Sequence, residues 1–176
     1  MHPRPAPAAL PDGPQAPDLA SYDKIVVSIS AGKDSQAALH RTILAATAAG
    51  VTDRVMTVFA DLGPDDEWPG TRDLAAEHAR FYGVPHEVVY REITGPDGQK
   101  VQQTLTQHIE QRGKWPDATR RYCTSDMKRA PIQRLYTRIA ADFRAEHPGR
   151  KVRILAVLGM RAQESRTRAL APLVRP

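Results

Sequence analysis

The sequence predicts an α/β fold in three layers, a mostly parallel sheet covered by helices on both faces and Rossmann-like in organisation. Three observations carry that expectation. Short apolar, β-branched runs alternate along the chain with stretches whose apolar residues recur at helical spacing. The runs are near-continuously apolar, as strands buried on both faces are. The first run leads straight into a glycine-containing turn and a helical stretch, the strand-turn-helix unit of parallel sheets.

Lys24 to Ser30, with Ile25, Val26, Val27 and Ile29, predicts the first strand. From Asp34 onward Ala38, Leu39, Ile43 and Ala46 share one helical face, and Gly50 supplies a left-handed stop. Arg54 to Ala60 predicts a second strand, ending at Asp61-Leu62-Gly63. A helix is expected from near Thr71 through Leu74, Ala75 and Ala79 to Gly83, and His86 to Tyr90 is the third strand. Gly95-Pro96-Asp97-Gly98 predicts a turn and Val101 to Arg112 a helix, in a stretch where the wrapping of the sheet is interrupted. Ile132, Leu135, Tyr136, Ile139 and Phe143 lie on one helical face, with Pro131 suited to the first turn of that helix. Val152 to Leu158 is the fourth strand. No internal repeat is evident.

The 176 residues are enough for one domain and one core. Hydrophobic content of 41% and charged content of 26% are ordinary for a soluble protein, and no apolar run approaches the roughly 20 residues that cross a bilayer. No membrane association is therefore expected. Residues 1–20, rich in proline and alanine, read as a disordered arm, and residues 21–176 as the folded domain. Cys123 is the single cysteine, so the chain cannot close an internal disulfide, and a reducing, cytoplasmic setting is the expectation. The net charge of +5 is unevenly spread: residues 1–111 carry −6 and residues 112–176 carry +11. A basic half suits nucleic acid, a phosphorylated ligand or an acidic partner protein, and charge alone does not choose among them.

The turn Ser30-Ala31-Gly32-Lys33-Asp34-Ser35 has the parts of a phosphate site. A helix start offers backbone N–H groups and about half a positive charge, Gly32 is able to take strained turn angles, and Lys33 adds a full charge. Ser28, Ser30 and Ser35 are candidate hydrogen-bonding hydroxyls; Asp34 is a candidate helix cap or magnesium ligand. A Walker loop would need Gly at position 27 and Ser or Thr at position 34, where this chain has Val27 and Asp34. Asp61 and Gly63 fall at the next strand's carboxyl end, where open parallel sheets place ligand contacts. Asp65, Asp66 and Glu67 read as a solvated acidic loop, with metal binding as the alternative. Arg120-Arg121-Tyr122-Cys123-Thr124, followed by Lys128 and Pro131, sets cations before a helix start. Gly159-Met160-Arg161-Ala162-Gln163-Glu164-Ser165-Arg166-Thr167-Arg168 delivers further guanidinium groups after the fourth strand.

On these segments the chain resembles the phosphoadenosine phosphosulfate (PAPS) reductase family of the PP-loop superfamily. The Ser-Gly-Gly-Lys-Asp-Ser motif appears with Ala31 in place of its first glycine, the Arg-x-Cys-Thr…Lys…Pro segment at Arg121 to Pro131, and Gly-x-Arg-x-x-Glu-Ser-x-x-Arg at Gly159 to Arg168. The resemblance implies an adenine nucleotide alpha-hydrolase-like fold, with ATP, PAPS or adenosine phosphosulfate (APS) across the carboxyl ends of the strands. It makes Lys33, Arg161 and Arg168 the expected phosphate or sulfate clamps, joined by Arg121, Lys128, Gly159 and Ser165. Glu164 would hold an arginine in place. Cys123 is the candidate nucleophile, with packing or the remnant of a lost cluster as the stronger reading.

Two chemistries occur on that scaffold. In the reductases a thiolate attacks the sulfur of PAPS or APS, and thioredoxin-type thiols then release sulfite. In the ATP pyrophosphatases a substrate oxygen attacks the α-phosphorus, and Mg²⁺, lysine and arginine stabilise the charge. This chain lacks the reductases' C-terminal Glu-Cys-Gly-x-His tail, and one cysteine cannot hold a [4Fe-4S] cluster. The leading expectation is a nucleotide-binding domain acting in sulfonucleotide reduction or sulfur transfer. The alternatives are an AMP-forming ATP pyrophosphatase that activates an acceptor such as a nucleic acid for thiolation, and a non-catalytic subunit of a larger complex.

Overall fold

A computed structural model describes residues 17–117 and 119–160. Six strands lie in these residues: β1 Lys24–Ser28, β2 Val55–Asp61, β3 His86–Tyr90, β4 Glu92–Thr94, β5 Lys100–Gln102 and β6 Ile154–Leu158. Four of them form one parallel sheet in the order β3-β2-β1-β6, and β4 and β5 form a separate antiparallel hairpin. The longer helices are α1 Lys33–Ala48, α2 Thr71–Tyr82, α3 Leu105–Arg112 and α5 Ala130–Glu146, with the single turn α4 at Tyr122–Thr124.

Alternation along the strands divides the core. Ile25 and Val27 of β1 and Val55 and Phe59 of β2 are buried with Leu39 and Ala46 of α1 and with Ala75 and Ala79 of α2. Val26 and Val58 point the other way and are buried with Leu135 of α5, flanked by Ile132, Tyr136 and Ile139. The expected three-layer arrangement follows, with α1 and α2 on one face and α5 on the other. Burying a Leu, Ile or Val side chain stabilises by about 1.5–3 kcal/mol, so both faces contribute to holding the sheet.

The helix boundaries follow local chemistry. Gly50 takes a left-handed conformation just past α1, and Gly83 caps α2 with its N–H on the Ala79 and Arg80 carbonyls. Thr104 and Gln107 form a reciprocal capping box at the start of α3. This start corrects the helix expected over Val101 to Arg112. Val101 belongs to β5, paired with Ile93 across a hairpin that the Gly95-to-Gly98 turn closes. Pro131 lies in the first turn of α5, as expected, but a π-helical turn at Ser125–Arg129 runs into that helix without a break.

The domain also begins earlier than expected. Leu19 is buried in the core, Asp18 caps the short Leu19–Ser21 turn, and Arg54 donates to the Ala20 and Tyr22 carbonyls. The arm cannot therefore extend to residue 20. The rest of it, residues 1–16, lies outside the described residues. No helix among the described residues is long and apolar enough to cross a membrane.

Candidate functional site

Strand order locates the site. Going from β1, the chain pairs β2 on one side and β6 on the other, so a crevice opens beyond the carboxyl ends of these strands. A cleft of about 460 Å³ occupies it. Its room comes from side-chain size on the α5 face of the sheet. There β1 passes from Val26 to Ser28 and β2 from Val58 to Ala60, and β6 contributes Ala156, so bulk falls away toward the strand ends. Ile132, Gln133 and Tyr136 of α5 form one wall. Burial pushes the Tyr136 phenol up, which keeps its hydroxyl a neutral hydrogen-bonding group.

One end of the cleft is the turn after β1. Ser28, Ile29, Ser30 and Ser35 line it, whereas Ala31, Gly32, Lys33 and Asp34 do not, and Lys33 is exposed as the first residue of α1. Gly32 is the N-cap of α1 and gives no side-chain cap. The turn is locked from within: the Ser35 hydroxyl donates to the Gly32 carbonyl at 2.8 Å and accepts from the Ser30 N–H at 3.1 Å. That hydroxyl proton is already used, so Ser35 shapes the turn rather than donating to a phosphate. The strained angles expected of Gly32 fall on its neighbour instead. Gly32 is extended at φ −79°, whereas Ala31 is left-handed at φ 58°. Asp34 is half-buried in the first turn of α1.

Gly159, after β6, lines the cleft and packs on the same helix start. A Cβ at this position would lie 2.6 Å from the Asp34 carbonyl oxygen and 2.9 Å from the Ser35 nitrogen. Only glycine lets the end of β6 approach the first turn of α1 this closely.

The expected contacts after β2 are arranged differently. Asp61 is buried, with one carboxylate oxygen accepting from the Gly63 N–H at 2.9 Å and the other paired with Arg72 at 3.1 Å. Gly63 has φ 116° and leaves no room for a Cβ against Thr104. Neither residue lines the cleft. Glu67, six residues past Asp61, does. Burial pushes its carboxyl up, against the Leu62 backbone N–H and the Lys128 charge, which pull it down.

Lys128 and Arg129 bring positive charge to the mouth, together with Thr124. They stand on the π-helical turn, which buried Met127 anchors and Asp126 braces. His108 Nε2 lies 3.1 Å and the Arg112 guanidinium 2.9 Å from the Asp126 carboxylate. Burial opposes ionisation of Asp126, but the Ser125 and His108 hydrogen bonds and the Arg112 charge outweigh it and hold the carboxyl below its usual range. Arg112 also sits 4.6 Å over the Tyr122 ring.

Cys123 is half-buried, with its sulfur 4.0 Å from the Thr124 hydroxyl oxygen, and Arg121 is exposed; neither lines the cleft. Arg161, Glu164, Ser165 and Arg168 lie outside the described residues. The structure thus brings together Ser28, Ser30, Ser35, Lys128 and Gly159 and adds Glu67, Thr124, Arg129, Gln133 and Tyr136. None of the family models, curated proteins or solved structures compared with the chain matches it.

Proposed function

We propose that the chain is a PP-loop nucleotide-binding domain of the PAPS reductase type, holding an adenine nucleotide across the carboxyl ends of β1, β2 and β6. One observation carries the reading: a cleft of about 460 Å³ with an apolar floor runs into a turn that opens a helix and bears Lys33. A purine suits the floor beneath Ile132 and Tyr136. The phosphates suit the helix start, where backbone N–H groups and the helix dipole favour anions. Lys128 and Arg129 add charge at the mouth.

For chemistry, the geometry favours ATP activation over reduction by a thiol of this chain. A sulfonucleotide reductase needs a thiolate at the sulfate, and Cys123 is half-buried outside the cleft lining. ATP activation asks nothing of a cysteine. An acceptor oxygen attacks the α-phosphorus, the new P–O bond forms as the bond to the β-phosphate breaks, and pyrophosphate leaves with the electron pair. AMP leaves in a second step, when a sulfur nucleophile bonds to the activated acceptor and the acceptor's bond to the AMP oxygen breaks. Among the described residues no three His, Cys, Asp or Glu side chains are grouped to hold a metal. A magnesium ion would rest mainly on the phosphates, with Asp34 as its candidate protein ligand. Exposed Lys114, Arg120 and Arg121, in the segment that leads to Thr124 of the cleft lining, suit a nucleic-acid acceptor.

Calorimetry tests the binding. Mg-ATP binds in the micromolar range, about −8 kcal/mol at 1 μM, and Lys33→Ala abolishes it; unchanged affinity would remove the turn from the site. Release of AMP and pyrophosphate with an acceptor, undiminished in Cys123→Ser, supports activation. Sulfite release from PAPS with thioredoxin, lost in Cys123→Ser, establishes the reductase instead.

A further inference from the structure

Three acids follow one another in the loop after β2, and the structure separates them. Asp65 is exposed. Asp66 is engaged at the start of α3, accepting from the Thr106 N–H at 3.0 Å and its hydroxyl at 2.6 Å. Glu67 enters the cleft, where it is the one carboxylate among the described lining residues.

Resting on the nucleotide reading of this site, we infer that Glu67 selects adenine nucleotides with an unmodified ribose, the ATP and APS class, over those with a 3′-phosphate, the PAPS class. The 5′-phosphates belong at the turn after β1 and the base on the apolar floor, so the ribose must bridge the two. Its hydroxyls donate hydrogen bonds, and a carboxylate only accepts them. A 3′-phosphate removes a donor and sets close to two negative charges in the same cleft as Glu67. Lys128, which also lines the cleft, pulls the Glu67 carboxyl down, so part of its charge is already set against Glu67. Arg129 is exposed at the mouth. Half-burial leaves Glu67 less screened by water than a surface acid.

Two ligand pairs differing only in the 3′-phosphate test this by calorimetry: AMP against adenosine 3′,5′-bisphosphate, and APS against PAPS. The 3′-phosphate should weaken binding to the unaltered protein at least about tenfold, equivalent to about 1.4 kcal/mol. Glu67→Gln should bring the ratio within about threefold, and Glu67→Lys should invert it. Equal or tighter binding of the 3′-phosphorylated members by the unaltered protein overturns the inference, whether or not a variant folds. An unchanged ratio in Glu67→Gln, with a native circular dichroism spectrum, overturns it too. If no adenine nucleotide binds at all, the nucleotide reading falls and takes this inference with it.

Discussion

Two loops leave the carboxyl ends of adjacent strands, and the chain puts them to opposite uses. The loop after β2 spends its polar groups internally. Asp61 holds Gly63 and Arg72, Asp66 holds Thr106, and the Leu62 carbonyl accepts from the Leu105 N–H. The turn after β1 uses one serine hydroxyl to fix its own shape and then opens a helix whose N-cap brings no side-chain cap. The end of a parallel strand is thus a place where a site can be built, and the difference lies in how the side chains there are used. Glu67 is the exception in the closed loop, since it alone among the three acids lines the cleft.

Paired glycine substitutions break this comparison most sharply. Gly63→Ala puts a side chain at φ 116° and 2.6 Å from Thr104. Strain and overpacking together should cost about 3 kcal/mol. Nucleotide affinity of the folded fraction should change less than about threefold. Gly159→Ala has no such backbone strain, but its Cβ meets the backbone of Asp34 and Ser35. It should cost about 2 kcal/mol and weaken ATP binding at least about tenfold. Urea denaturation and calorimetry on both variants give the four numbers. Equal binding losses would show that the β2 loop contributes to the ligand site as directly as the β1 turn.

What the sequence reveals of these loops depends on the range of the forces involved. The β1 turn is legible because Ser30 to Ser35 are contiguous, and a strand-turn-helix junction is decided by its own residues. The four parallel strands are legible for the same reason, to within two residues at each end. Val101 is misread because a lone valine fits a three-residue strand as well as a helix, and pairing with Ile93 decides between them. The cleft wall is not legible. Whether Tyr136, Gln133 or Glu67 faces the crevice depends on how α5 and the β2 loop pack against the sheet, and no spacing along the chain encodes that. Arg129 sits beside Lys128, which the motif does mark, yet only the π-helical turn brings both to the mouth.

The brace beneath that turn gives a prediction in pH. Asp126 has its folded carboxyl held below the ordinary value, by His108, Ser125 and Arg112 against the opposing effect of burial. A depressed folded pKa stabilises above the unfolded value, about 3.9, and the contribution is lost as pH falls through the folded value. Urea midpoints measured from pH 6 down to pH 3 should therefore fall in the acid range, and Asp126→Asn should flatten that fall. The same variant should weaken ATP binding by about threefold, because Lys128 and Arg129 lose the support under their turn. A pH profile that stays parallel to the unaltered protein's would mean that other carboxylates set the acid limit.

The smallest effect is expected at Ala31, and it asks how much strain the open turn carries. A non-glycine residue in the left-handed region costs about 1–2 kcal/mol, and Ala31 is the one such residue among those described, at φ 58°. It is held there by the serine bonds on either side, Ser30 N–H to Ser35 and Ser35 to the Gly32 carbonyl, and its methyl packs against the core beneath α1. Ala31→Gly relieves the strain but gives up the methyl contact and adds about 0.4–1 kcal/mol of unfolded-chain freedom. These terms nearly cancel, so urea denaturation should show a change within about 1 kcal/mol on the stabilising side, with ATP affinity altered less than about threefold. Destabilisation beyond about 1 kcal/mol would show the methyl outweighing the strain. The position would then be alanine for packing, and the turn would keep its shape because the core beneath it is full.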